Sequence, residues 1–159
     1  MGEFAQVYEL IETGFKRSGQ PVKRGSMAHE HELYILLADS AAELRDAAAL
    51  ARYVGPALEL AERDGHRLYL PIAQRARGVQ ERLAGELEAA RHSFEAALAG
   101  FDQLGTRWQA GRTYMEMGEL ETTAGDANAA RTQYQAALEH FEALQAGAYL
   151  ERARLALQQ

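Results

Sequence analysis

The 159-residue chain has a formal net charge of −6 at pH 7, with 47% hydrophobic and 25% charged residues, which suits one packed domain and excludes wholesale disorder. The acidic balance argues against a nucleic-acid binder that works by neutralising phosphates. Absence of cysteine excludes disulfides and thiolate metal sites and fits a reducing cytoplasm, while three prolines and abundant alanine favour long helices over sheet.

Taken from the N-terminus, the first piece differs from the rest. Both lysines, Lys16 and Lys23, precede Met27; beyond it stand thirteen arginines and thirty alanines, against a single alanine, Ala5, before it. A gene normally keeps one Lys/Arg habit, so Gly25-Ser26-Met27 reads as a junction. Glu3-Phe4 and Gly25-Ser26 also match what two common cloning sites leave on translation. Residues 1–26 are therefore expected to be a fused peptide, a tag or an N-terminal extension, and 27–159 a separate repeat domain. Within the first piece Phe4, Val7, Tyr8, Ile11 and Phe15 recur at three- and four-residue spacing, which predicts an amphipathic helix from Phe4 to about Gly14. Gly14 is expected to end it, and Lys16 to Arg24 to follow as a basic, extended tail. A helix this short is marginal alone. Val7, Tyr8, Ile11 and Phe15 are thus the expected ligand face, docked on the same chain as a monomer or on a neighbour as an exchanged dimer.

From Met27 the apolar spacing and turn residues predict helices over 29–44, 46–64, 67–84, 86–104, 107–124 and 126–146, with a capping helix over 148–158. Asp64-Gly65, Gly85-Glu86 and Gly125-Asp126 read as the turns between them. Pro71 falls in a first helical turn, where its missing N–H matters little, whereas Pro56 should kink its helix or shift the start.

Offset so that Gly78 meets Gly118, the chain superposes on itself. The same offset aligns Gly85 with Gly125, Ala90 with Ala130, Phe94 with Tyr134, Ala97 with Ala137, Leu98 with Leu138 and Phe101 with Phe141. A weaker copy lies one such step earlier, in Ala38, Leu50, Val54, Ala57, Leu58 and Ala61. Gly78-x6-Gly85-Glu-Leu-x2-Ala90-x3-Phe94-x2-Ala97-Leu98 and its partner from Gly118 to Leu138 resemble the tetratricopeptide motif.

That resemblance implies an all-α fold, a tetratricopeptide-like α-solenoid of three helix pairs and a cap. It implies that Gly78 and Gly118 admit the second helix of each pair, whose Ala-aromatic-Ala face lines the contact. The repeat here is about 40 residues long, against about 34 in the family. Glu81 and Glu121 stand where the family has an aromatic, and the closing proline is missing. Longer repeats of this kind are similar to those of bacterial regulators and signalling ATPases.

No catalytic residue is expected. The sequence has no glycine-rich phosphate loop, nucleophile elbow or HExxH pair, and no cofactor is implied. His29-Glu30-His31 reads as a solvated helix start, because residues two apart on a helix point in different directions. Glu81, Glu86, Glu88 and Glu95 read as solvated faces, and Trp108, aligned with Leu68, as core. No apolar run reaches the about 18 residues of a membrane span and no signal-peptide pattern opens the chain, so neither membrane nor nucleic-acid partners are expected.

In the tetratricopeptide family the first helix of each pair lines a concave wall. Carried over, that wall comprises Glu32, Ile35, Asp39 and Ala42, then Ile72, Arg75, Val79 and Arg82, then Arg112, Met115, Glu119 and Thr122, with Arg152 and Leu155 from the cap. The peptide-binding candidates are Ile35, Asp39, Ile72, Arg75, Val79, Arg82, Arg112, Met115, Glu119 and Arg152, a mixture suited to a peptide with apolar anchors and charged flanks. The repeat segment carries thirteen arginines against twenty acidic residues, net −7, and residues 1–26 are net +1, so the two pieces attract. The expected function is a scaffold that binds a linear peptide of a partner protein, with the fused segment as one candidate. The alternative is a structural or sensory segment of a larger bacterial regulator or signalling ATPase.

Overall fold

The computed structural model describes residues 2–17 and 30–158, with side chains over 4–14 and 31–158. All of its regular structure is helical and, among the described residues, there is no strand. The order is α1 (Gly2–Arg17), α2 (Glu30–Leu44), α3 (Ala47–Arg63), α4 (Tyr69–Leu83), α5 (Leu87–Leu104), α6 (Arg107–Ala124), α7 (Ala127–Leu144) and α8 (Gly147–Ala156). No helix among the described residues is long and apolar enough to cross a membrane. The predicted helices are present within a few residues of their expected ends. Two expectations differ: α1 runs through Gly14 to Arg17, taking Lys16 with it, and α3 continues unbroken through Pro56. Residues 18–24 of the expected basic tail, and His29, lie outside the described residues, as does the Phe15 side chain.

One backbone event spaces the helices. Positive φ angles occur at Arg45, Gly65, Gly85, Gly105, Gly125 and Gln145, at even intervals along the chain. After each, the next N–H reaches back five positions to a helix-end carbonyl: Asp46 to Ala41 at 3.0 Å, Glu86 to Glu81 at 2.9 Å, Asp126 to Glu121 at 3.0 Å. This is the bond pattern that closes a helix on a left-handed residue. At both ends of the series Arg45 and Gln145 adopt the conformation without being glycine. Asp46 and Asp126, at matching positions two repeats apart, also cap the helices that follow, each accepting from the N–H three positions on.

Short turns return each helix along its predecessor, and every helix from α2 to α8 packs on the next; α2 also meets α4, and α4 meets α6. The closest approaches are within pairs. A Cβ on Gly78 would sit 2.5 Å from the Phe94 ring, and one on Gly118 would run into the Tyr134 ring. Ala90, Phe94 and Ala97 of α5, and Ala130, Tyr134 and Ala137 of α7, are buried at those contacts. Pro71, in the first turn of α4, meets Gly100 of α5. The apolar core runs continuously from α2 to α6, and a second cluster joins α6, α7 and α8 through Met115, Phe141 and Ala153.

Glu81 departs from the solvated role expected of it. It is buried, and accepts from Ser93 Oγ at 2.6 Å and Arg77 Nε at 2.7 Å. At the matching position of the next repeat, Glu121 is buried against Arg91. In both copies of the repeat this position is a buried carboxylate that reaches α5, Glu81 to Ser93 and Glu121 to Arg91. Glu86, Glu88 and Glu95 are exposed.

Candidate functional site

Two regions combine exposed chemistry with defined geometry. The first is the seat of α1. Tyr8 and Ile11, one turn apart on the same face, pack against the α2–α6 core cluster. Glu12 is buried beside them, accepts from the Tyr53 hydroxyl of α3, and pairs with Arg52 at 3.4 Å. At the other end the Phe4 ring lies under the Arg112 guanidinium of α6, 5.4 Å from centroid to carbon. Burial, and next the Glu12 charge, raise the Tyr8 phenol above its ordinary value. Of the expected ligand face, Tyr8 and Ile11 are in contact and Val7 is 39% exposed; Leu10, outside that face, is 78% exposed. The apolar stripe is therefore Phe4, Tyr8 and Ile11, finished by a carboxylate. Glu12 and Tyr53 were not among the sequence candidates; the i, i+4, i+7 rhythm gives no hint that a buried acid completes it.

The second region is the inner face of the helix array. Its expected binding residues meet one another there. Asp39 of α2 accepts from Arg75 Nη2 at 2.8 Å and from Arg112 Nη1 at 2.9 Å. Arg112 continues to Glu43 at 2.8 Å, and Glu43 to Arg152 of α8 at 3.3 Å. Arg45 and Arg82 together hold Glu116 and Glu119, with Arg45 to Glu119 and Arg82 to Glu119 both at 2.8 Å. These pairs bring residues of α2 and its closing turn within reach of α6 and α8, 69 to 109 positions away in sequence.

Electrostatically the lattice holds its carboxylates unequally. Burial raises the Asp39 carboxyl, but the Arg75 and Arg112 charges and their hydrogen bonds outweigh it and hold it at about 2. Glu43 is likewise low: burial opposes ionisation and Arg112 more than compensates. Glu116, enclosed and beside Glu119, is pushed up by burial in spite of Arg45 and Arg82. Arg45 and Arg112 hold their protons more tightly than a free arginine, the carboxylates overriding burial. Arg75, burial and the Arg112 charge both weighing on it, holds its proton less tightly.

Among the sequence candidates, Ile35, Ile72 and Val79 are buried in the main core cluster, and Val79 presents no surface at all. They belong to the apolar cluster shared by α2 to α6, not to an open wall. Arg75 is 2% exposed and committed to Asp39 and Gln109. Arg82, Met115, Glu119 and Arg152 do come together, around a cavity of about 480 Å³ between α4, α6, α7 and α8. Glu43, Arg45 and Glu116 were missed. Each has an uncharged residue at the aligned positions, Leu83 and Thr123 for Glu43, Gly85 and Gly125 for Arg45, Ala76 for Glu116, so the repeat carries no signal for them.

Trp108, expected in the core, is half-exposed and meets the rings of Phe141 and Tyr149 edge-on, at 5.8 and 4.7 Å. Among the described residues no group of three or more His, Cys, Asp or Glu side chains is placed to hold a metal ion. No protein-family model matches the sequence, and no curated protein matches it.

Proposed function

We propose that residues 27–159 are a tetratricopeptide-like α-solenoid, three helix pairs with α8 as cap, acting as a protein–protein interaction module that takes a linear peptide in helical form. The architecture is supported by the recurrence of Gly78/Phe94 as Gly118/Tyr134, and by the evenly spaced left-handed turns. The binding role rests on one observation: α1, from a segment of different composition, is seated by a matched set of contacts at Phe4, Tyr8, Ile11 and Glu12. Tethering raises the local concentration of such a ligand without adding contacts. The peptide surface is therefore assigned to the seat of α1 on α2, α3 and Arg112, and not to Ile35, Ile72 or Val79.

Calorimetric titration tests this reading. A 27–159 fragment, shown by circular dichroism to be helical, should bind a synthetic peptide of residues 2–17 with a Kd of about 1 µM or tighter. A peptide with Tyr8→Ser and Ile11→Ser should not bind. Equal binding of both peptides, or of neither, sinks the assignment.

A second reading has its own support. The Asp39–Arg75–Arg112–Glu43 part of the lattice is paired internally, as a self-supporting structural or sensory segment of a larger regulator would require. Failure of the titration with a folded fragment selects it.

A further inference from the structure

The cavity between α4, α6, α7 and α8 has a chemistry of its own. Its polar side carries Arg82, Arg152, Thr122 and Tyr134; its apolar side carries Met115 and Leu155. Arg82 is only 9% exposed, and its Nη2 is committed to Glu116 and Glu119. Its buried Nε–H has no acceptor among the described residues. Glu119 offers little relief: both its oxygens already accept from Arg45, and one accepts from Arg82 as well. Thr122 donates to the Gly118 carbonyl at 2.9 Å and lies 3.4 Å from the Tyr134 hydroxyl. The lining carboxylate Glu119 is thus already engaged, and Arg82 and Arg152 leave the wall richer in donors than in free acceptors.

Charge points the same way. Among the described residues the inner lattice sets five arginines, Arg45, Arg75, Arg82, Arg112 and Arg152, against Asp39, Glu43, Glu116 and Glu119. One positive charge is in surplus. Arg152, which reaches Glu43 at 3.3 Å, lies over the Tyr149 ring and has a side chain 39% exposed, stands at the cavity. A monoanion matches that surplus, whereas a phosphate dianion would crowd Glu119 and Glu116. A cavity of about 480 Å³ falls within the range of small-ligand sites, roughly 300–1,000 Å³.

The geometry points to this cavity as a binding site for a carboxylate on a short apolar body, its oxygens held by Arg82 and Arg152 and its carbons lying on Met115 and Leu155. Charge-assisted bonds from guanidinium to carboxylate are the strong, directional kind. The carboxylate belongs either to a free organic acid or to an acidic side chain of a bound peptide. The α1 seat is built on Tyr53, Arg52 and Arg112, none of which lines the cavity, so the two sites stand apart.

The test uses the full chain labelled with 15N-arginine, following the Arg82 Nε–Hε resonance by NMR. Pentanoate should shift it saturably, while pentanol and inorganic phosphate at the same concentrations should not. Leu155 is 59% exposed, so Leu155→Asp should leave the melting temperature in place and weaken pentanoate at least about tenfold by repulsion. Arg152→Gln should weaken it by a similar factor. A blocked Ala-Glu-Ala peptide that saturates below pentanoate assigns the carboxylate to a partner's side chain; the reverse order assigns it to a free acid. The Tyr8→Ser, Ile11→Ser chain should titrate as the parent does, which separates this site from the α1 reading. No saturable shift, or the same shift with pentanol, overturns the proposal.

Discussion

The α4–α7 pairs and the α1 seat are both helix-on-helix contacts, yet they are built on different principles. In the pairs, a glycine on one helix faces an aromatic ring on the next, and the arrangement recurs in the following repeat. At the seat, Phe4, Tyr8 and Ile11 lie on surfaces already formed by α2, α3 and α6, and the polar anchor is a single buried acid, Glu12, against Tyr53. The pairs interlock; α1 is laid on. Between the two stands the ionic lattice, which joins α2, α4, α6 and α8.

That ranking can be broken experimentally. The largest effect is expected from Asp39→Ala, which leaves the buried Arg75 guanidinium without its carboxylate and Arg112 with Glu43 alone. Removing one partner of a buried pair costs about 3–5 kcal/mol, and urea unfolding should show it as a lowered midpoint. Glu88→Ala, at a side chain 91% exposed, should stay within about 0.5 kcal/mol of the parent. If the two variants unfold alike, the lattice contributes nothing.

Acid provides a subtler probe of the same lattice. The Asp39 carboxyl is depressed to about 2 in the fold, below its unfolded value of about 4, so its contribution is complete above pH 4 and vanishes as pH falls through 2. The shift corresponds to about 2 kcal/mol. Glu43 shifts in the same direction. Glu116 is raised, and its contribution has the opposite sign, present at low pH and lost as pH rises through its folded value. Stability measured by urea should therefore fall between pH 4 and 2 in the parent and fall less in Asp39→Asn. An identical slope in both would remove Asp39 from the account.

Within the pairs, Gly118→Ala should overpack Tyr134 and cost about 1–3 kcal/mol. Gly55, inside α3, has nothing within 4 Å of a Cβ, and Gly55→Ala should be neutral or stabilise by up to about 1 kcal/mol. Opposite signs in thermal melts would show that proximity to the ring, and not helix propensity, decides. Two losses of equal size would mean the Gly118–Tyr134 contact is not a packing seam.

These differences follow what a sequence can carry. A small residue facing a large one, repeated at a fixed offset, leaves a trace that self-comparison finds, so Gly78, Ala90, Ala97 and their copies were legible. Turn positions were legible where glycine was read as marking them, at 65, 85 and 125, and silent at Arg45 and Gln145, which take the same backbone shape without the residue that advertises it. The inner face was legible as a set of positions but not as a state. Nothing in the spacing of Asp39, Arg75 and Arg112 says whether they await a partner or bond to one another; that depends on how tightly the array closes. Glu43, Arg45 and Glu116 were invisible because each occurs once.

The smallest effect, and the one that bears most on function, is expected at α1. A lone helix of this length is marginal in water, because nucleation is unfavourable and few bonds offset it. Its order must come from the face it buries. Full burial of a large apolar side chain contributes about 1.5–3 kcal/mol, and Tyr8 and Ile11 are only partly covered, so together they should contribute about 1–3 kcal/mol. Changing both to Ser should free α1 while the pairs and the lattice stay intact. Hydrogen exchange separates these cases: amides of residues 4–14 should exchange as in a free peptide in the double variant, while those of α4 to α7 keep the parent's protection. Glu12→Gln should act in the same direction but more weakly, since the amide can still accept from Tyr53 and only the charge facing Arg52 is lost. If exchange in α1 is already as fast in the parent, the helix is not held by its contacts. If α4 to α7 loosen along with it, α1 is part of the core and not its occupant.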